Sequence, residues 1–348
     1  MATTDNILQG SHFRMDGPCG EALEDFKQVT RQYALFHITF FSIGVLELVA
    51  FVLFFSFLTK TTIFAFSLAG LFLTGFTYFV LLFYFQAKKP NQLLDVRSNF
   101  LKTSRSTLPY EEKSAEYHLA LAASLERLLS HFHRLEYSYY SVPASFKTLS
   151  PLMQKFSAWT HWKDLHQMKE LLLLMIIKQE IEFIKLQPTN LEAHAHLANS
   201  YLSLSKLYMD PRELYPDEEH FWVSPEYASS EMLENFKQAS LRAIEEYKIL
   251  DSYAPNDPWV HAQLALIYHN LGLFHEEMRE YETILKISPS DSEILFRLGV
   301  LYFKNGQSAQ ALRIYEQLKK SGEDNKASEL IACYDAALHA EYPDLEAR

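Results

Sequence analysis

Apolar residues recur along this chain in three rhythms, and each predicts a different kind of helix. From Tyr33 to Leu58 the chain is predominantly apolar for 26 residues, interrupted by His37 and Glu47. At 1.5 Å per residue that is roughly 39 Å of helix, enough to cross a bilayer with some tilt. The polar turn Thr59-Lys60-Thr61-Thr62 follows, and Ile63–Phe85 is a second apolar run, of 23 residues. Irregular backbone cannot face lipid, so two spanning helices joined by a tight turn are expected. Pro90 is expected to end the second one or begin its exit. The second rhythm lies between Tyr110 and Tyr140. There Leu121, Leu125, Leu128, Phe132, Leu135 and Tyr139 step by alternating fours and threes, as in a heptad seam. A seam this short predicts packing against a neighbouring helix, with self-association as the alternative. The run Leu171–Ile177 (LLLLMII) is too short to span and reads as a buried helix beneath the first helical pair that follows it.

The third rhythm is a repeat. Leu264, Ala265, Tyr268, Gly272 and Tyr281 are answered 34 residues later by Leu298, Gly299, Tyr302, Gly306 and Tyr315. Three punctuation marks frame it: Gln187-Pro-Thr-Asn190, Ala254-Pro-Asn-Asp257 and Ser288-Pro-Ser-Asp291. In each, proline stops one helix and the Asx or Ser that follows can cap the next. The pattern from Asp257 to Ser321 resembles the tetratricopeptide repeat, a helix–turn–helix unit of about 34 residues. A weaker earlier copy pairs Leu197, Ala198 and Tyr201 with Ala243, Ile244 and Tyr247, interrupted by an insert near 208–227. That insert is rich in Pro, acid and aromatics. It reads as a lid over the repeats, a partner-binding loop, or a packed loop without a role of its own. Glu277 and Ile284 depart from the small residues usual in the family. Lys326–Ala340 is expected to cap the array.

The resemblance implies an all-α fold: a transmembrane hairpin, a helical region and a short α-solenoid. The expected boundaries are a polar N-terminal tail over 1–32, a hairpin over 33–87 and a juxtamembrane helical region over 88–160. A repeat domain over 161–340 and a tail over 341–348 follow. In this family the first helix of each pair lines a concave face that holds another protein or peptide. The residues expected there include Asn199, Trp259, Phe296, Arg297 and Phe303. Only Asn199 and Arg297 are of the type that clamps an acidic peptide end. The face is therefore expected to bind through apolar and aromatic contact.

Charge refines this division. Residues 191–348 carry 14 Lys/Arg and 27 Asp/Glu, net −13, whereas 88–190 carry 14 and 10, net +4. So acidic an array argues against nucleic acid as a partner. Lys27 and Arg31 precede the hairpin, and Lys88, Lys89, Arg97, Lys102 and Arg105 follow it. Only Lys60 lies in the turn, so both termini are expected in the cytoplasm of a two-pass membrane protein. A bacterial inner membrane fits. So does a host-derived inclusion membrane, because exported inclusion-membrane proteins of intracellular bacteria carry a similar bilobed segment. In that setting the array would bind host proteins. Within the hairpin, His37, Gly44 and Glu47 share one helix face, and Ser67, Gly70, Thr74 and Thr77 share another. Folding at Lys60–Thr61 sets Glu47 level with Thr74, so His37, Glu47 and Thr74 are expected at the helix contact. The alternative is a membrane-embedded subunit of a transport or ion-handling complex using Glu47, and two helices would need to oligomerise for that.

Catalytic signals are weak. There is no phosphate-binding glycine loop, nucleophile elbow or paired-cysteine zinc motif. His194 and His196, like His131 and His133, are two residues apart and point away from each other on a helix. No enzyme activity, cofactor or metal is expected, and homo-oligomers remain compatible with the sequence.

Overall fold

The computed structural model describes residues 16–55, 63–140, 150–214 and 222–341. The turn Thr59–Thr62 and the middle of the insert, 215–221, lie outside the described residues. Among those described, the secondary structure is helical, and the chain divides into two compact units, 1–188 with 206–233 and 189–205 with 234–348.

The first unit is built on two helices longer than their apolar runs. Helix α1 spans Asp16–Leu53 and α2 spans Ile63–Thr107. They run antiparallel, with Tyr33 beside Phe85 and Phe51 beside Phe64. Two sequence expectations are corrected here. Residues 16–32 continue the first helix, where the sequence suggested a polar tail, and α2 runs through Pro90. Proline removes one backbone hydrogen bond, a loss of about 3 kcal/mol in a helix interior. Tertiary packing on both sides of Pro90 sustains the helix. Past the apolar runs, Cys19, Ala22 and Phe26 of α1 and Leu93, Val96 and Phe100 of α2 are buried in one core.

That core is completed by α3 (Ala115–His131), the short α4 (Leu135–Ser138) and α5 (Ser150–Leu186). The heptad seam is the buried face of α3 and α4. Leu121, Leu125, Leu128 and Phe132 are sealed, with Leu135 and Tyr139 packed at the edge. Their partners include Leu165, Met168, Leu172 and Ile176 of α5, so the seam packs within the chain. Phe26 meets Phe132 edge-on at 5.0 Å. Lys89 forms a 2.6 Å ion pair with the buried Asp164, whose carboxyl is raised by burial and drawn back down by Lys89. The described ends of the insert, Tyr208 and the 3₁₀ turn Pro225–Ala228, also belong here. The Tyr208 hydroxyl donates to Glu170 at 2.6 Å, and Trp162 Nε1 donates to the Tyr227 hydroxyl at 3.1 Å. The insert is thus anchored on α5 through an aromatic cluster that also holds His166.

The second unit stacks helical pairs. Most of α6 (Leu191–Tyr208) pairs with most of α8 (Ser230–Tyr253), the four-residue α7 (Pro211–Leu214) belonging to the insert. Then come α9 (Pro258–Asn270) with α10 (Phe274–Ile287), α11 (Ser292–Lys304) with α12 (Ser308–Lys320), and α13 (Asp324–Glu341) at the end. The punctuation works as capping. The side chains of Asn190, Asp257 and Asp291 accept the backbone N–H of Ala193, Trp259 and Glu293 respectively. The second and third pairs turn through glycine at the same register. Gly272 and Gly306 hold φ of +70° and +72°, conformations that a side chain disfavours.

Candidate protein-docking face

Buried residues of the second unit repeat with the 34-residue period. Ala198, Ala243 and Tyr247 join Val260, Leu264 and Tyr268 in one layer. Ala265, Tyr281, Leu298, Tyr302, Ala311, Leu318, Ala327 and Leu330 are among those building the next. Small residues sit where backbones come closest. At Gly299 a Cβ would meet a Leu330 methyl of α13 at 2.8 Å. Glu277, at a usually small position, is instead buried beside α9, its carboxylate 3.1 Å from His269 Nδ1. Burial raises the Glu277 carboxyl above the ordinary range, opposed by His269.

The residues expected on the docking face have different environments. Trp259 stands 42% exposed at the start of α9, edge-on to Tyr247 at 5.8 Å. Phe296 is half-buried, and Arg297 is exposed with its Nε donating to Glu293 at 2.9 Å. Asn199 is exposed, and its Oδ1 accepts the Tyr247 hydroxyl at 2.7 Å. Phe303 is 8% exposed and lies 4.5 Å from the Tyr334 ring of α13. The capping helix therefore takes Phe303 into the core. What remains open is an apolar strip of Trp259, Leu266, Phe296 and Val300 along the first helices of the pairs, with exposed Arg297 in the third.

Two of the histidines that the sequence set apart as weak ligands are engaged in hydrogen bonds. His194 Nδ1 lies 2.7 Å from Glu246, and His131 Nδ1 lies 2.8 Å from the Arg127 carbonyl. His261 is held between Glu280 at 2.7 Å and the Pro255 carbonyl at 3.1 Å. Burial works against its charge, but those two acceptors and Asp251 raise its pKa on balance.

In the first unit the hairpin brings Thr74 and Glu47 together, the hydroxyl donating to Oε1 at 2.9 Å. Glu47 Oε2 is buried without a partner. His37 lies nearly three turns away along α1, against the Tyr78 hydroxyl at 3.1 Å, a partner that the small-residue stripe did not reveal. A tyrosine within an apolar run was the available signal.

Antiparallel helix pairs, stacked on a 34-residue period with a capping helix, define an α-helical repeat scaffold. The comparison with family profiles gives the class its name: this segment consists of tetratricopeptide repeats, matched at 260–291 and again at 280–313. Outside residues 260–313 the chain has no family match. No curated protein matches the sequence.

Proposed function

We propose that the protein is a membrane-anchored adaptor that recruits a protein or peptide partner through the strip around Trp259. The observation that carries this is the exposure of Trp259 at the start of α9, on a repeat scaffold that also leaves Phe296 half-buried on α11. Large aromatic side chains held at a surface by rigid neighbours are typical anchors of protein interfaces. Recruitment would act by raising the partner's concentration near the bilayer. The two apolar helices, each long enough to span, supply the anchor, and the charge asymmetry around them sets both termini on the cytoplasmic side.

Affinity capture with the full chain in mild detergent tests the docking face, comparing the parent with Trp259→Ser and Phe296→Ala. The full chain is needed because a fragment lacking α1 would strip Cys19, Ala22 and Phe26 from the core. A partner retained by the parent and lost with both variants supports the adaptor reading. Identical captures from all three overturn it. Topology has its own test, since Cys333 is exposed and Cys19 buried. An impermeant maleimide added outside sealed cells should label a Lys60→Cys variant in the turn and leave Cys333 untouched.

A further inference from the structure

The hairpin does not close on itself. A cleft of about 1030 Å³ lies between it and the N-terminal turns of α5. Along α1 it runs from Tyr33 to Leu48, roughly 22 Å at 1.5 Å per residue. That exceeds half the thickness of a bilayer's hydrocarbon core, about 15 Å. Gly44 and Gly75 both line it, and a Cβ built at either would meet nothing within 4 Å. These two glycines leave space open beside the points where the helices touch.

The lining is graded in polarity. At the open end of the hairpin stand the Lys89–Asp164 ion pair, which is neutral as a unit, and His161, whose Nε2 is 2.8 Å from the Tyr140 hydroxyl. With Tyr140 donating to Nε2, His161 Nδ1 carries the proton, and that atom is buried without a partner. Deeper in, the walls are mainly apolar and aromatic, including Phe40, Phe41, Leu71 and Tyr78, with His37, Thr74 and Glu47 as the polar members. On the same side, α5 exposes Leu152, Phe156 and Trp159 at spacings of four and three, with Trp159 62% exposed. Phe156 and Trp159 also line the cleft, so this apolar face is continuous with the lipid-length surface of the hairpin. Water would leave such a face at a large free-energy disadvantage, and tryptophan at a bilayer boundary is favoured.

We propose that this cleft is a phospholipid site. One acyl chain of the leaflet nearest the open end lies along the predominantly apolar wall, with its glycerol-ester region at the level of His161 and Tyr140. The first turns of α5 are then wedged into that leaflet. Because Lys89 is already neutralised by Asp164, the site does not select an anionic head, and a zwitterionic phospholipid satisfies it. This inference rests on the membrane anchor proposed above.

The test is reconstitution of the full chain into vesicles containing phosphatidylcholine with a photoactivatable diazirine acyl chain, followed by irradiation and mapping of labelled residues. Phe72 and Phe83, exposed on α2 and outside the cleft lining, report contact with the bulk bilayer. The expected result is labelling of Phe40, Leu71 and Tyr78, half-buried in the cleft wall, as well as of Phe72 and Phe83. Gly75→Phe and, from the opposite helix, Gly44→Leu should reduce the first set several-fold and leave the second unchanged. Labelling of Phe72 and Phe83 with the cleft-wall residues bare overturns the lipid site alone. The same holds if cleft labelling is unchanged in both glycine variants, or if the cleft residues yield cross-links between two copies of the chain. Absence of label on Phe72 and Phe83 overturns the membrane anchor and the lipid site together.

Discussion

Replacing Gly299 by alanine should loosen the end of the repeat array, against the ordinary expectation that glycine-to-alanine stabilises a helix. A Cβ on residue 299 would stand 2.8 and 3.0 Å from the two δ-carbons of Leu330 and 3.2 Å from Ile314 Cγ2. Carbon pairs rest at about 3.5–4.0 Å, so Leu330 would have to retreat by roughly 0.5–1 Å. Leu330 is fully buried in the layer formed with Tyr302, Phe303 and Leu318, which leaves it little room. Overpacking of this kind costs about 1–3 kcal/mol, and the gain in helix propensity returns about 1 kcal/mol. The balance is a destabilisation of up to about 2 kcal/mol. The decisive control is Leu330→Ala, which itself destabilises by about 2–5 kcal/mol. In that background the obstruction is gone, and Gly299→Ala should stabilise by about 1 kcal/mol. Hydrogen exchange of the α11 and α13 amides in the full chain reads both effects as changes in local opening. Stabilisation by Gly299→Ala in both backgrounds would refute the tight contact between α11 and the capping helix.

Three further outcomes follow from the charges. Burial first, and then a nearby lysine, lowers His161 and His166 to about 4 from an ordinary value of 6.5, so the folded state holds both rings neutral. Their stabilising effect is complete above the unfolded pKa and fades as pH falls from 6.5 towards 4. It amounts to at most about 3 kcal/mol each. Trp162 fluorescence should report acid loosening of the first unit over that window, and His166→Phe should shrink it; an acid-insensitive signal would contradict this. Lys89→Met would strand the buried Asp164 carboxylate and destabilise by about 3–5 kcal/mol. Adding Asp164→Asn should recover much of that in a detergent-solubilised thermal melt. Glu277 runs opposite to the histidines: its raised pKa favours the folded state at low pH, and that advantage is lost as pH rises through it. Glu277→Gln should therefore stabilise α10 at neutral pH by hydrogen exchange, and a loss of protection there would argue that the His269 contact outweighs burial.

Much of the array was legible because its determinants are local. The Asx caps, the positive-φ glycines at 272 and 306 and the 34-residue spacing are each set within a few residues, and the structure uses them as read. The helical content of residues 16–32 was hidden because polar residues there face solvent while Cys19, Ala22 and Phe26 pack on helices more than sixty residues away. Pro90 misled for a related reason: it reports a local disfavour that packing of α2 on both sides overrides. Phe303 was indistinguishable in sequence from Phe296, since both lie on a first helix, and only the position of Tyr334 on α13 separates them. The cleft beside the hairpin had no sequence signature. Glycines in a membrane run suggest close approach, and it takes α5, brought back from residue 150 onward, to define the space they leave.

The core of the first unit draws Cys19 and Phe26 from before the hairpin and Leu93 and Phe100 from after it, together with seam residues of α3. On the proposed anchor, none of these can meet until both arms of the hairpin have returned to one side of the bilayer, so the core would form only on a hairpin whose two spans are both inserted. The repeats, whose buried contacts lie within and between neighbouring pairs, need no such closure.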